Sequence, residues 1–328
     1  MTGSHSSQTN QGMFRVTAST VGEALAEVHR LAGPDAQIIH LKRVPTPGLA
    51  RIWGGKQIEA LASRKTVSEP SRRSRQAVRE EPWDSDSIAK ILTQLGFLPD
   101  LAVAISAEAG RRAERPLSPK EQWLEVTATL LERWDRLSAR VPKHPGRVAL
   151  IGTPGSGKST CIAKWLTQET ILHQRSCRLW RLDVPVTNSA DFLSLHAEMM
   201  GVAVERFWSV QPPVDKEWLD IQGWDPNDVT NDQVANLLDR FQPEFVGLVL
   251  NASYELKILQ AQIERYRALK PDGLVLTHLD EDSHAAKFWN LSLGSRMPVC
   301  FTSRGATIPG GFDPVSAEQS LEALLSHT

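Results

Sequence analysis

Apolar residues in this chain recur in two alternating rhythms. From about residue 145 onward, short apolar runs at 148–151, 178–183, 217–221, 245–250, 273–276 and 298–302 have the length of buried strands. Between and after them, residues 161–172, 189–200, 230–241, 254–269 and 316–325 place apolar positions three or four apart, the spacing of one face of a helix. This alternation predicts an α/β fold with a mostly parallel sheet covered on both faces, and ligands at the carboxyl ends of its strands.

The first half is patterned differently. Residues 13–18 (MFRVTA), 36–44 (AQIIHLKRV) and 56–62 (KQIEALA) read as strands, and Val21, Leu25, Val28 and Leu31 mark a helix over 21–31, closed by the turn Gly33-Pro34-Asp35. Together they predict a small α+β module over 13–63, preceded by an unstructured, polar tail at 1–12. Residues 64–83 carry Arg64, Lys65, Arg72, Arg73, Arg75 and Arg79 among Ser, Glu and Pro, the composition of a flexible basic linker. Residues 84–141 are helical: Asp84 or Ser85 caps 88–95, Gly96 breaks that helix, Asp100 precedes 101–109, and 120–137 is amphipathic. The last domain then spans 142–328.

Composition narrows the function classes. At 328 residues and a net charge of −1, the chain has room for two or three domains and no global field that recommends nucleic acid as a partner. Cys161, Cys177 and Cys300 are scattered without CxxC spacing, which argues for a reducing compartment and against a disulfide framework or a zinc site. The N-terminal MTGSHSSQTNQG lacks an apolar signal core, and no apolar run approaches the ~20 residues that span a bilayer. The expectation is a soluble, cytoplasmic protein whose membrane contact is peripheral, through the arginines at 64–79.

The chemistry is concentrated in GTPGSGKST: Gly152, Thr153, Pro154, Gly155, Ser156, Gly157, Lys158, Ser159 and Thr160. This segment follows a strand and opens a helix, so it reads as a phosphate-binding loop. Gly152 and Gly157 stand where the backbone turns sharply and points successive N–H groups inward. Lys158 is spaced to reach the β and γ phosphates, and Ser159 to ligate Mg²⁺.

Several further stretches, in order, resemble the signal-recognition-particle family of GTPases and, within it, the FlhF branch that places and assembles bacterial flagella. MFRVTASTVGEALAEVHRLAGPDAQIIHLKRV resembles the N-terminal module of that branch, and DSDSIAKILTQLGFLPDLAVAISAEAG the family's helical N domain. RLDVPVTNSADFL stands where the family has DTYR followed by a Glu-Gln-Leu run and keeps Asp183; LDIQGW stands at DTAGR and keeps Asp220 and Gly223. LTHLDED stands at TKLDE, keeping Thr277 and Asp280 with His278 between, and RGATIPGGF at the closing loop, keeping Gly305 and Pro309. Met13 falls where members of the branch begin.

The resemblance implies roles. Asp220 would hold Mg²⁺ through water beside Ser159. Asp183 would orient the attacking water near the γ-phosphate. Asp280 would accept the guanine N1–H and N2 amino hydrogens, a pair that adenine lacks, which favours GTP by a margin on the order of 10⁴ in comparable sites. It also implies GTP and Mg²⁺ as cofactors, a nucleotide-dependent homodimer, and flagellar basal-body or pole proteins as partners.

The departures fall on the chemistry. Val186 replaces the arginine of DTYR, Phe192 the glutamine of the next run, Trp224 the arginine of DTAGR, and Ala306 the closing-loop glutamine; His278 replaces the base-stacking lysine. An arginine at the γ-phosphate is worth roughly 10³ to 10⁵ in rate. Binding is therefore expected to outlast hydrolysis, which is slow or needs a partner's group. The alternatives are a non-hydrolysing scaffold that marks a position, and a generic P-loop kinase or ATPase, which would leave LTHLDED and the N-terminal module unexplained.

Overall fold

The computed structural model describes residues 5–9, 13–18, 27–28, 30–31, 37–45, 56–63, 82–113, 115–182, 191–223, 231–281, 285–305, 307–308 and 310–325. By contact the chain forms two units, Met1–Asp86 with Ile105–Leu130, and Ser87–Ala104 with Leu131–Thr328.

The first unit contains an antiparallel sheet of β1 (His5–Thr9), β2 (Met13–Ala18), β3 (Gln37–Pro45) and β4 (Lys56–Ser63), in the order β1-β2-β4-β3. The last three are the expected strands. β1 corrects the expectation of an unstructured tail: residues 5–9 pair with 13–17, giving the outer backbone edge of β2 its hydrogen-bonding partner. Of the helix expected at 21–31, residues 27–28 and 30–31 are described and helical, and Val28 is buried. The linker arginines lie outside the described residues.

Three helices follow, α1 (Ser85–Gln94), α2 (Pro99–Gly110) and α3 (Pro119–Ser138). Ile88, Ala89 and Leu92 form the buried stripe of α1, which ends at Gly96 with φ of 94°. α3 starts with a capping box. The Ser118 N–H donates to Glu121 Oε2 at 2.8 Å, the Glu121 N–H points back to Ser118 Oγ at 3.4 Å, and Pro119 takes the first helical position. Residues 84–141, expected as one helical domain, instead divide between the two units. The α1–α2 corner joins the second unit through Asn290, whose Oδ1 accepts from Leu98 N at 3.0 Å and whose Nδ2 donates to Gly96 O at 2.8 Å.

The second unit holds an eight-stranded sheet: β5 (Arg147–Ile151), β6 (Cys177–Trp180), β7 (Ala203–Glu205), β8 (Lys216–Asp220), β9 (Phe245–Asn251), β10 (Gly273–Thr277), β11 (Val299–Ser303) and β12 (Phe312–Pro314). Its order is β12-β11-β10-β9-β5-β8-β6-β7, parallel except for the β11–β12 edge pair. The connecting helices are α4 (Lys158–Thr167), α5 (Asp191–Met199), α6 (Asn231–Phe241), α7 (Leu256–Tyr266), α8 (Ala285–Ser295) and α9 (Ala317–Leu325). α4 begins at Lys158 rather than at residue 161, because the phosphate loop itself turns into the helix, and it passes into a π-helical turn at Gln168–Leu172. The alternation expected from the apolar pattern is present. β7, β12 and α8 were not expected.

Between α4 and the sheet, Trp165 packs on Phe301 and Phe312, with ring centroids 4.5 and 5.3 Å away. At the same place Lys216 pairs with Glu169 at 2.9 Å and lies 4.5 Å from the Trp165 ring centre, so its buried charge is met by both an anion and a π face.

Because Asn290 is buried and satisfies two backbone groups, Asn290→Ala is expected to lower stability by roughly 2–4 kcal/mol. A denaturant titration that leaves the midpoint in place would contradict this anchoring of the α1–α2 corner.

Candidate functional site

β5 lies between β8 and β9 in the sheet, so the loops after β5, β8, β9 and β10 leave from neighbouring carboxyl ends. There they surround a cavity of about 810 Å³ lined by Pro154, Gly155, Gly157, Lys158, Ser159 and Thr160 of the phosphate loop. The opposite walls are Gln222 and Gly223 after β8, Thr277, His278 and Asp280 at the end of β10, Ser303 at the end of β11 and Gly305 beyond it. Phosphate-loop and base-reading candidates thus share one cavity.

The loop is braced from within. Lys158 Nζ donates to Gly152 O at 3.0 Å and to Thr153 O at 2.9 Å, curling the loop around its own ammonium. Thr277 Oγ1 donates to Ser156 O at 2.8 Å, tying the end of β10 to the loop. Gly157 has φ of 93°, and a Cβ there would come within 3.2 Å of Thr277 Cγ2, so both the turn and the contact require glycine. Gly223 is held more tightly still. A Cβ would lie 2.5 Å from Pro154 N and 2.7 Å from Lys158 Nζ.

Burial pushes the Lys158 ammonium down to about 8, against the pull of Asp220. Ser156 Oγ is buried and makes no hydrogen bond among the described residues, as does Gln222 Oε1. Orphaned polar atoms beside a glycine loop and a buried lysine fit a group that brings its own hydrogen-bonding atoms.

Asp220 closes the floor. Ser159 Oγ donates to its Oδ1 at 3.2 Å, and Arg181 Nε to its Oδ2 at 3.2 Å. Both charged side chains of the latter pair are buried, at 2% and 0% exposure. Burial raises the Asp220 carboxyl above its ordinary value, while Arg181 and then Lys158 act in the opposite sense.

At the other end of the cavity, Asp280 Oδ1 accepts the Gly305 N–H at 3.1 Å, a bond that lowers its carboxyl below the ordinary value. His278 takes a left-handed φ of 57°, with Nδ1 2.9 Å from Thr277 Oγ1. The loop that presents Gly305 is anchored from beneath by Lys164 of α4. Its buried Nζ donates to Ser303 Oγ at 3.2 Å, Arg304 O at 2.8 Å and Gly305 O at 2.6 Å.

The structure therefore gathers the expected phosphate-loop residues, Asp220, Gly223, Thr277, His278, Asp280 and Gly305 at one edge of the sheet. Asp183, Val186, Trp224, Ala306 and Pro309 lie outside the described residues. Arg181, Lys164 and Gln222 were not expected. Two of them carried a signal: Arg181 is a charge at the carboxyl end of a strand, and Lys164 interrupts the apolar helix CIAKWL.

No protein-family model matches the chain. It is 20% identical over 265 residues, 78% of its length and 69% of the relative's, to the flagellar biosynthesis protein FlhF of Bacillus subtilis. A crystal structure of FlhF complexed with GTP and Mg²⁺ superposes with a TM-score of 0.60 at 16% identity, covering 74% of this chain and 99% of that one. Chloroplast FtsY from Physcomitrella patens gives 0.56 at 20% identity, over 73% and 87%. The chain is thus similar in sequence to FlhF, and it shares the fold of the FlhF and FtsY structures.

Proposed function

We propose that the chain captures GTP and Mg²⁺ in this cavity and hydrolyses the nucleotide slowly, acting as an FlhF-like GTPase in the placement and assembly of a bacterial flagellum. The observation that carries this reading is the single cavity joining Lys158 and Ser159 at one end to Asp280 at the other. Lys158 and the loop N–H groups would hold the β and γ phosphates, and Asp280 would read the guanine edge. Ser159 Oγ and the Asp220 carboxylate are the hard oxygen donors that would face Mg²⁺, with Asp220 already paired to Arg181. When bound, the ion would neutralise charge that develops on the phosphates.

Two features support weak hydrolysis. Val186 and Phe192 replace side chains that would supply charge and a hydrogen bond, and Phe192 lines the cavity as an apolar wall. Asp183 remains the proposed orienter of water. Along α5, Phe192, Leu195 and Met199 are exposed at 45%, 60% and 71% and share one helical face beginning at the cavity. That face supports a nucleotide-dependent homodimer. The flagellar partner, a peripheral position on the inner membrane face through the linker arginines, and a role in protein targeting extend the same reading. No helix among the described residues is long and apolar enough to cross a membrane. Should the phosphates be bound without turnover, the chain would serve instead as a nucleotide-loaded positional marker.

Titration with fluorescent GTP and ATP analogues, followed by single-turnover hydrolysis, tests the reading. GTP is expected to bind at least about 100-fold more tightly than ATP, with turnover roughly 10³-fold or more below that of an arginine-bearing relative. Equal affinities would refute the assignment of Asp280. Ordinary turnover would refute the catalytic deficit.

The lowered Lys158 ammonium gives a pH signature. Below about 8 the lysine is already charged and affinity is flat; above it, binding must take up a proton, so affinity falls by up to about tenfold per pH unit. Calorimetry in buffers of different ionisation enthalpy measures that proton directly, and no uptake at pH 9 would contradict the assignment.

Lys164→Met should free the Gly305 loop without touching the phosphate end. Affinity for GTP is expected to drop roughly 10- to 100-fold while affinity for pyrophosphate stays within about threefold, a difference readable by competition titration.

A further inference from the structure

Trp180 of β6 pairs with Leu219 of β8, so continuing the parallel register by one residue sets Arg181 beside Asp220 at the two strand ends. The pair is thus dictated by the sheet, and the arginine is fixed there from three sides. Its Nε meets Asp220 at 3.2 Å, its Nη1 donates to Ser194 Oγ of α5, and its backbone N–H donates to Glu205 O at 2.9 Å. With its side chain 2% exposed, Arg181 is buried inside the unit.

This places a permanent cation against the carboxylate that would otherwise hold a metal's hydration shell. A divalent ion binds where carboxylate charge is uncompensated. Here Asp220 is paired already, with a second cation, Lys158, on the loop above it. Among the described residues the Asp220 carboxylate is thus already met by cations, which weakens its pull on Mg²⁺.

We propose that Arg181 is a built-in counter-cation at Asp220, which makes nucleotide capture by this chain independent of divalent metal and leaves Mg²⁺ loosely held. The inference rests on the GTP-binding reading and deepens it. Capture and turnover become separable steps: the chain loads with nucleotide in the absence of metal, and only hydrolysis calls for the ion.

The test is equilibrium binding of a fluorescent, non-hydrolysable GTP analogue to the full chain, in excess Mg²⁺ and in excess EDTA. The wild type is expected to show affinities within about threefold of each other, whereas Arg181→Met, which removes the charge at similar volume, separates them by more than about tenfold; Arg181→Lys keeps the charge and follows the wild type. A second readout is Mn²⁺ electron paramagnetic resonance on the analogue complex, where the wild type leaves most of the added ion free and Arg181→Met binds it. A wild type whose affinity falls tenfold or more in EDTA overturns the proposal, as does an Arg181→Met protein no more metal-dependent than the wild type. If Arg181→Met does not fold, the wild-type ratio and the wild-type Mn²⁺ spectrum decide. Failure to bind the analogue in either buffer refutes GTP binding itself, and the inference falls with it.

Discussion

The placement of β5 between β8 and β9 is the constraint on which the rest depends. Parallel strands release their loops at the same edge, so this one adjacency brings the phosphate loop beside Asp220 and, through β9 and β10, within reach of Thr277 and Asp280. The Thr277 hydroxyl then locks the arrangement by bonding the loop at Ser156 O. Strand order alone would bring these segments near one another. The hydroxyl fixes their separation to within a hydrogen bond, the precision that a triphosphate gripped at one end and read at the other requires.

A site for polyanions has to store positive charge inside a protein, where an unpaired ammonium or guanidinium is expensive. Three cations here are buried, and each is solved differently. Lys158 is wrapped by the carbonyls of its own loop, at the cost of a lowered proton affinity. Lys164 is satisfied entirely by Ser303, Arg304 and Gly305, so its charge is converted into a loop anchor. Arg181 is paired with an acid. Only the first is available to a ligand; the other two shape the cavity that the ligand enters.

Much of this was legible in the chain itself. The phosphate loop declares itself because glycine, lysine and serine are each needed at fixed spacing for separate physical reasons, and the central strands because fully buried β-strands are continuous apolar runs. The unexpected elements lack such marks. α8 buries Ala286, Phe288, Trp289, Asn290, Leu291, Ser292 and Ser295, polar and apolar together around most of its circumference, so no single stripe announces it. β7 and β12 are three residues each, too short for any periodicity. The helical segment at 84–141 reads as a domain because helices follow one another without interruption, yet Ser87–Ala104 groups with the second unit, where Asn290 bonds Gly96 and Leu98. Hydrogen bonds of that kind leave no trace in local pattern.

The same limit applies to Arg181. Aligned by resemblance, the eye goes to Val186, where a cation has been lost, and the natural inference is a site short of positive charge. The sheet register also places a buried cation, Arg181, on the strand beside Asp220. The two positions are not equivalent. A guanidinium at the γ-phosphate would act on the transition state, whereas one locked to a buried carboxylate would act on the ground state, by setting the charge of the floor of the proposed nucleotide site. On the proposed reading, the absence of the first and the presence of the second would both favour occupancy over turnover.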